Sequence, residues 1–267
     1  MKLPAEFAFS PSMLQNYLDC EYRFLLFNIR GLDWPAVESE PMLLNQEKIR
    51  LGQTFHRLVQ QFFAGIDPDI LSASILDPKM LIWWENFRKL NLENAPGSCS
   101  AEQLLSVPFA GYRLSAKYDL VIQQASGEIT IYDWKTSLVV PNASLVRERA
   151  QSRVYPLIQY RLQSKLPATN LEPKSDIRMI YWYPEFPENT IVIDYDHQQY
   201  LQDEGMLTNL IFEIVKKPED EFNKTSDSRK CAFCKYRSLC TRGTVAGDLT
   251  TGFTEVFEED IFGIAAD

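Results

Sequence analysis

The apolar residues of this chain recur at two different periods, and that change constrains the fold more than any other feature. Before residue 91 they recur every three or four positions, and from 104 to 134 they alternate. The first spacing builds one face of a helix and the second one side of a strand. A helical pattern follows Ser10 and covers 13–27, with Leu14, Tyr17, Leu18, Tyr22, Leu25 and Leu26 as its stripe and Gly31 and Pro35 at its exit. A second covers 47–63 through Leu51, Phe55, Leu58, Val59 and Phe62, and a third opens at Asp77-Pro78 and runs through Trp83, Trp84 and Leu90. Residues 91–100 read as a loop. Strands are expected over 104–109, 112–122 and 128–134, and the turn residues between Gln124 and Gly127 make the last two a hairpin. Residues 145–162 return to helical spacing, and Pro156 removes a backbone donor there, which predicts a kink or a restart. Strands over 177–183 and 190–195 and a helix over 198–215 complete the series. This order predicts an α/β fold, a mixed central β-sheet flanked by helices.

At 267 residues and 45% hydrophobic content the chain can bury a core without a covalent staple. A single domain over 1–240 is expected, followed by an acidic, aromatic tail over 241–267 that reads as a flexible segment, a partner-docking peptide or a mimic of DNA. No apolar run approaches 18 residues, so no membrane association is expected. The first twelve residues lack the apolar stretch of a secretory signal. With five cysteines, that points to a reducing, cytoplasmic setting and to metal or redox chemistry. The net charge of −9 argues against a nucleic-acid partner when taken whole. Its distribution does not, because 142–165 carries +4 and 224–242 carries +5 while 241–267 carries −5. Such basic stretches can steer a polyanion, or can be solvated helix faces.

Asp133 and Lys135 are two apart on one expected strand, and Asp119 lies on the strand before it. Two carboxylates and an ammonium can then converge at one end of a sheet. Carboxylate oxygens suit a hard divalent cation, Mg²⁺ or Mn²⁺, which polarises a phosphoryl oxygen and acidifies a bound water. A lysine beside it can orient that water. An ordinary strand salt bridge would use the same residues. His56 lies beside the apolar stripe of its helix, where a core histidine is equally at home. Gln151 and Tyr155 are four apart and share a helix face with Arg147, a face suited to tracking phosphates. Cys231, Cys234 and Cys240 form a C-x2-C-x5-C cluster, with Cys20 and Cys99 elsewhere. Soft thiolates select Zn²⁺ or an iron–sulfur cluster, and a fourth ligand from outside the cluster would clasp the N-terminal helix to the C-terminal region.

Together these features resemble the RecB-like branch of the PD-(D/E)XK nuclease superfamily, which includes RecB, AddA, AddB and the CRISPR-associated adaptation nucleases. The resemblance runs from Ser10 to Cys240 through FSPSMLQNYLDCEYRF, LGQTFHRLVQQF, AKYDLVI, IYDWKTS, QSRVY and CAFCKYRSLC. It departs from the branch at Ser115-Ala116-Lys117, where glycine is frequent, and at Pro156. The resemblance implies a restriction-endonuclease-like core and a Mg²⁺- or Mn²⁺-dependent exonuclease acting on single-stranded DNA ends in repair or recombination. Asp119, Asp133, His56 and the backbone carbonyl of Trp134 would hold the metal, with Glu102 as an additional acid. Lys135 would position the attacking water, Gln151 and Tyr155 would orient the strand, and Arg147, Arg149 and Arg153 would neutralise phosphates. Cys20, Cys231, Cys234 and Cys240 would carry a [4Fe–4S] cluster, with Zn as the alternative, leaving Cys99 free. No phosphate-binding GxxxxGK[ST] loop is present, so any helicase or other repair or CRISPR activity would belong to a partner protein. The alternative use of the same fold is a non-catalytic subunit that clamps DNA or a helicase.

Overall fold

The computed structural model describes residues 3–34, 40–163 and 176–244. The expected tail lies outside the described residues from 245 onward. The elements in order are β1 (Ala8–Phe9), α1 (Pro11–Asp19), α2 (Glu21–Phe24), α3 (Glu40–Phe63), α4 (Pro68–Ser74), α5 (Pro78–Lys89), β2 (Ser98–Phe109), β3 (Tyr112–Gln123), β4 (Ile129–Trp134), α6 (Ala143–Glu148), α7 (Ala150–Gln163), β5 (Ile177–Trp182), β6 (Ile191–Tyr195) and α8 (His197–Lys216). One mixed six-stranded sheet runs through the described residues. β2 pairs with β3 antiparallel along its length, so β1 and β4 share the other edge of β3, β1 at its start and β4 at its end. β4 and β5 are parallel and joined by α6 and α7, as a parallel pair requires a crossover, and β6 returns antiparallel.

The sheet has a core on each face. On one, α1, α7 and α8 cover Leu114, Ala116, Tyr118, Ile131, Met179 and Tyr181. On the other, α3, α4 and α5 cover Leu120, Ile122, Trp134 and Trp182 with Phe55, Trp83, Trp84 and Phe87. Burying one such aromatic is worth roughly 2–3 kcal/mol, so this second layer anchors α3 firmly. Buried indole nitrogens find partners, Trp83 in Glu185 at 2.7 Å and Trp84 in the Ser72 hydroxyl at 2.8 Å.

Helix starts follow local chemistry. Ser10, Asp67, Asp77, Asn142 and Asp196 each accept a backbone N–H of the first turn, and Pro follows directly in α1, α4 and α5. Four features differ from the sequence expectation. The first helix is not continuous over 13–27; it breaks at Cys20, whose φ of −162° is extended, and ends in a π-helical turn over Leu25–Ile29. The expected loop over 91–100 instead contains a 3-10 turn and the start of β2. The two residues of β1 and the seven of α4 are too short to show a period. The restart expected at Pro156 as the alternative to a kink does not occur; the interruption falls at Arg149, at ψ 146°, and α7 runs through Pro156 from Ala150 to Gln163. Pro156 is buried within α7.

Candidate active site

Strand β3 changes phase in its middle. Leu114, Ala116 and Tyr118 face one core, while Leu120 and Ile122 face the other. β2 does the same, with Val107 and Phe109 on the first side and Ala101 on the second. The ladder between them skips one step, Glu102 opposite Asp119, and Glu102 has φ +53°, a left-handed conformation that non-glycine residues adopt at a cost. Extending the β3–β4 register by one step sets Asp119 opposite Asp133. Three acids thus meet where two sheet faces exchange, within reach of helices from both layers.

From α3, His56 points its Nδ1 at Asp119 Oδ1, 3.2 Å away, and its Nε2 at the Trp134 carbonyl, 3.1 Å away. The Trp134 N–H donates to Asp119 Oδ2 at 2.7 Å. His56, Asp119 and Glu102 offer one ligand atom each, all within 4.8 Å of one another. An imidazole and two carboxylates form a donor set that fits Mg²⁺ or Mn²⁺. Burial disfavours the charged imidazole, but Asp119, Asp133 and Glu102 outweigh it and raise the His56 pKa to about 9. Burial likewise opposes the Asp119 charge, yet His56, the Trp134 N–H and Lys135 hold its carboxyl below the ordinary value.

From α7, Gln151 ties together the second half of the site. Its Nε2 donates to Asp133 Oδ1 at 2.6 Å, and its Oε1 accepts from Lys135 Nζ at 3.0 Å. Lys135 Nζ also lies 2.9 Å from Asp133 Oδ2 and 5.6 Å from the centre of the Tyr181 ring. All three polar residues are buried. Asp133 therefore stands beside the His56–Glu102–Asp119 group, engaged by Lys135 and Gln151. Tyr155, one turn after Gln151, donates its hydroxyl to the Lys117 carbonyl at 2.6 Å, while its own carbonyl accepts the Tyr118 hydroxyl at 2.8 Å. It thereby fastens α7 to the phase change of β3.

The arginines expected along the phosphates lie on α6, on α7 and between them. Arg153 pairs with buried Asp203 at 2.6 Å, Arg147 donates to the Val192 carbonyl at 3.0 Å, and Arg149 is the helix interruption. Lys117, which the sequence reading passed over, pairs with Glu102 at 2.8 Å. Its signal was present in the stretch Ser115-Ala116-Lys117, where the resemblance led one to expect glycine.

Cys20, Cys231, Cys234 and Cys240 line one pocket together with Arg23, Lys224, Lys230, Arg237 and Arg242. The extended backbone at Cys20 turns the N-terminal helix toward the C-terminal segment. Arg242 Nη1 lies 3.1 Å from the Cys231 sulfur. Burial pushes the Cys234 thiol up to about 11. Four soft donors ringed by cations fit a metal centre that binds thiolates. Cys99 is exposed on β2, outside this pocket.

The sequence matches the model of the PD-(D/E)XK nuclease superfamily over residues 8–92 and 78–241, nearly all of the described chain. The chain belongs to the PD-(D/E)XK nuclease superfamily. No curated protein matches the chain. Among solved structures, one described as "Putative exonuclease" from Eubacterium rectale is similar at 14% identity, covering 93% of this chain and 96% of that one, with a TM-score of 0.48. Another, described as SSO0001, is similar at 13% identity over 90% and 88% of the two chains, with a TM-score of 0.34. No described helix of this PD-(D/E)XK protein is long and apolar enough to cross a membrane.

Proposed function

We propose that the protein is a Mg²⁺- or Mn²⁺-dependent deoxyribonuclease that trims single-stranded DNA ends during repair or recombination in the cytoplasm. The observation that carries this reading is the convergence of His56, Glu102, Asp119 and the Trp134 carbonyl beside the Asp133–Lys135–Gln151 network. When bound, the divalent cation would supply Lewis acidity at a phosphoryl oxygen and lower the pKa of a water that it holds. The protein's own groups do the rest. The Trp134 N–H fixes Asp119 Oδ2, while His56, whose Nδ1 faces Asp119 Oδ1, would give up a proton to join the ligand set. Asp133 is the second carboxylate. Lys135, fixed by Asp133 and Gln151, orients the attacking water and offsets the charge that grows on the phosphoryl oxygens. Gln151 holds both groups in register, and Tyr155 holds β3 against α7. Single-stranded ends, the repair setting, and helicase or CRISPR-type partners are inferred from the RecB-like resemblance.

The four pocket cysteines are assigned to a [4Fe–4S] cluster joining the N- and C-terminal regions of one 1–240 domain. Among the described residues no three cysteine sulfurs lie within 4.8 Å of one another. The assignment rests on the resemblance, with Zn as the alternative ligand of the same thiols.

The test is cleavage of end-labelled single-stranded DNA with Mn²⁺ or Mg²⁺, comparing brown, anaerobically purified wild type with Lys135→Ala. Metal-dependent cleavage that falls at least about a hundredfold in the variant supports the reading. Binding of DNA by a folded wild type that cleaves neither single- nor double-stranded DNA would assign the chain to the non-catalytic role instead.

A further inference from the structure

The two carboxylates closest to the metal-capable group already have cationic partners, and only one partner belongs to the ligand set. Asp119 faces His56, whereas Glu102 faces Lys117, with Oε2 and Nζ 2.8 Å apart. The Glu102 side chain is 12% exposed and that of Lys117 44%. A carboxylate so far removed from water, beside a second carboxylate, requires a counter-charge. Lys117 supplies it from the rim, on a flexible stem that ends in a point charge and can turn to solvent without disturbing the core. Its backbone, by contrast, is fixed, because the Lys117 carbonyl accepts the Tyr155 hydroxyl. In the register of the ribbon Lys117 pairs with Leu104, so Glu102 is its diagonal neighbour, within reach of a long side chain.

We propose that Lys117 is the resident counter-ion of Glu102, exchanged for the divalent cation when the site is loaded. This rests on the metal-site reading above. An incoming cation must take Glu102 from an ammonium that also repels it, so Lys117 weakens metal binding. Once displaced, the ammonium stands at the rim, where a phosphodiester anion would approach. Lys117 is therefore a positioning residue that couples metal loading to the charge offered to the substrate strand.

The experiment is titration of the full chain with Mn²⁺ in the absence of DNA, followed by the electron paramagnetic resonance of free Mn²⁺. Lys117→Met is expected to tighten binding by about threefold to tenfold, the range set by an exposed ion pair plus the repulsion it removes. Lys117→Arg, which keeps the ion pair, should stay near wild type. In a Glu102→Gln background Lys117→Met should tighten binding less than in wild type, because only the repulsion is left to remove. Lys216→Met removes an exposed lysine of α8 and controls for net charge. Unchanged or weaker binding by Lys117→Met with its melting temperature kept, or equal tightening by Lys216→Met, would overturn the proposal while leaving the metal site intact. A folded wild type that binds no Mn²⁺ would remove the metal-site reading and this proposal together.

Discussion

His56 shows how a site residue can be invisible to spacing and decisive in space. On its helix it sits beside an apolar stripe, as a core histidine would. In the structure both ring nitrogens are engaged, one by a carboxylate and one by a main-chain carbonyl. Three neighbouring acids raise its pKa to about 9, despite burial. A folded-state pKa above the ordinary 6.5 means that protonated His56 stabilises the metal-free fold fully below about pH 6.5, and that this contribution is lost as pH rises through about 9. Urea denaturation with chelator present should therefore show wild type losing about 1–3 kcal/mol more than His56→Gln between pH 6 and pH 10. Equal losses in the two proteins would remove the assigned ion pair. The proposed trio of Asp119, Asp133 and Lys135 was legible through the resemblance, since the three fit its motif, and not from residue types alone. Their division of labour was not legible, because it depends on Gln151 arriving from the opposite face of the sheet.

Among the elements, the β2–β3 ribbon carries most of the site's geometry. Strict alternation over 112–122 makes β3 a uniform strand. The structure instead turns the ribbon over at Glu102 and Asp119, so that one pair of strands serves both cores. Local rules fail there because a strained residue is needed to aim the acids, as is common at functional sites. The ribbon is set at its start by Gly97, whose φ is +120° and where a Cβ would overlap the main-chain oxygen of Gln123. Gly97→Ala should cost about 2 kcal/mol or more in chemical denaturation, from backbone strain plus the overlap. A change under about 0.5 kcal/mol would mean that the ribbon start relaxes freely. The longer elements were legible from their period, and α5 and α1 from their caps as well. Pro156 misled on the restart because its cost is local while the burial of α7 is tertiary.

On the scale of the whole molecule, the two ends of the described chain are tied by contacts that need no metal. Tyr22 N–H donates to the Asn223 carbonyl at 3.0 Å, and Asn223 N–H donates to Glu21 Oε2 at 2.8 Å. Lys217 reaches Glu21 at 2.6 Å and the Tyr17 hydroxyl at 2.9 Å, and Tyr236 donates to the Leu32 carbonyl at 2.6 Å. Burial works against the Glu21 charge, but the Asn223 N–H and Lys217 outweigh it and hold its pKa below the ordinary value. A depressed carboxylate stabilises the fold above its unfolded pKa, and this is lost as pH falls through the folded value. Glu21→Gln should then cost about 1 kcal/mol at pH 7 in urea denaturation, and the difference from wild type should shrink below about pH 4. A cost that stays constant from pH 7 to pH 3 would show that shape, not charge, joins the ends. The cysteine spacing had suggested this closure, but not the polar contacts that hold it.

Trp134 divides its duties between two parts of itself. Its ring, 2% exposed, packs among Tyr132, Phe87 and Trp182 at 5.4–5.7 Å, while its peptide N–H and carbonyl serve Asp119 and His56. Codons rewrite side chains, and only proline would delete that amide hydrogen. Any residue at 134 that fills the aromatic box delivers the same two atoms, so this share of the chemistry is inherited with the backbone. A drop in activity on shrinking Trp134 would measure how well the box aims a peptide.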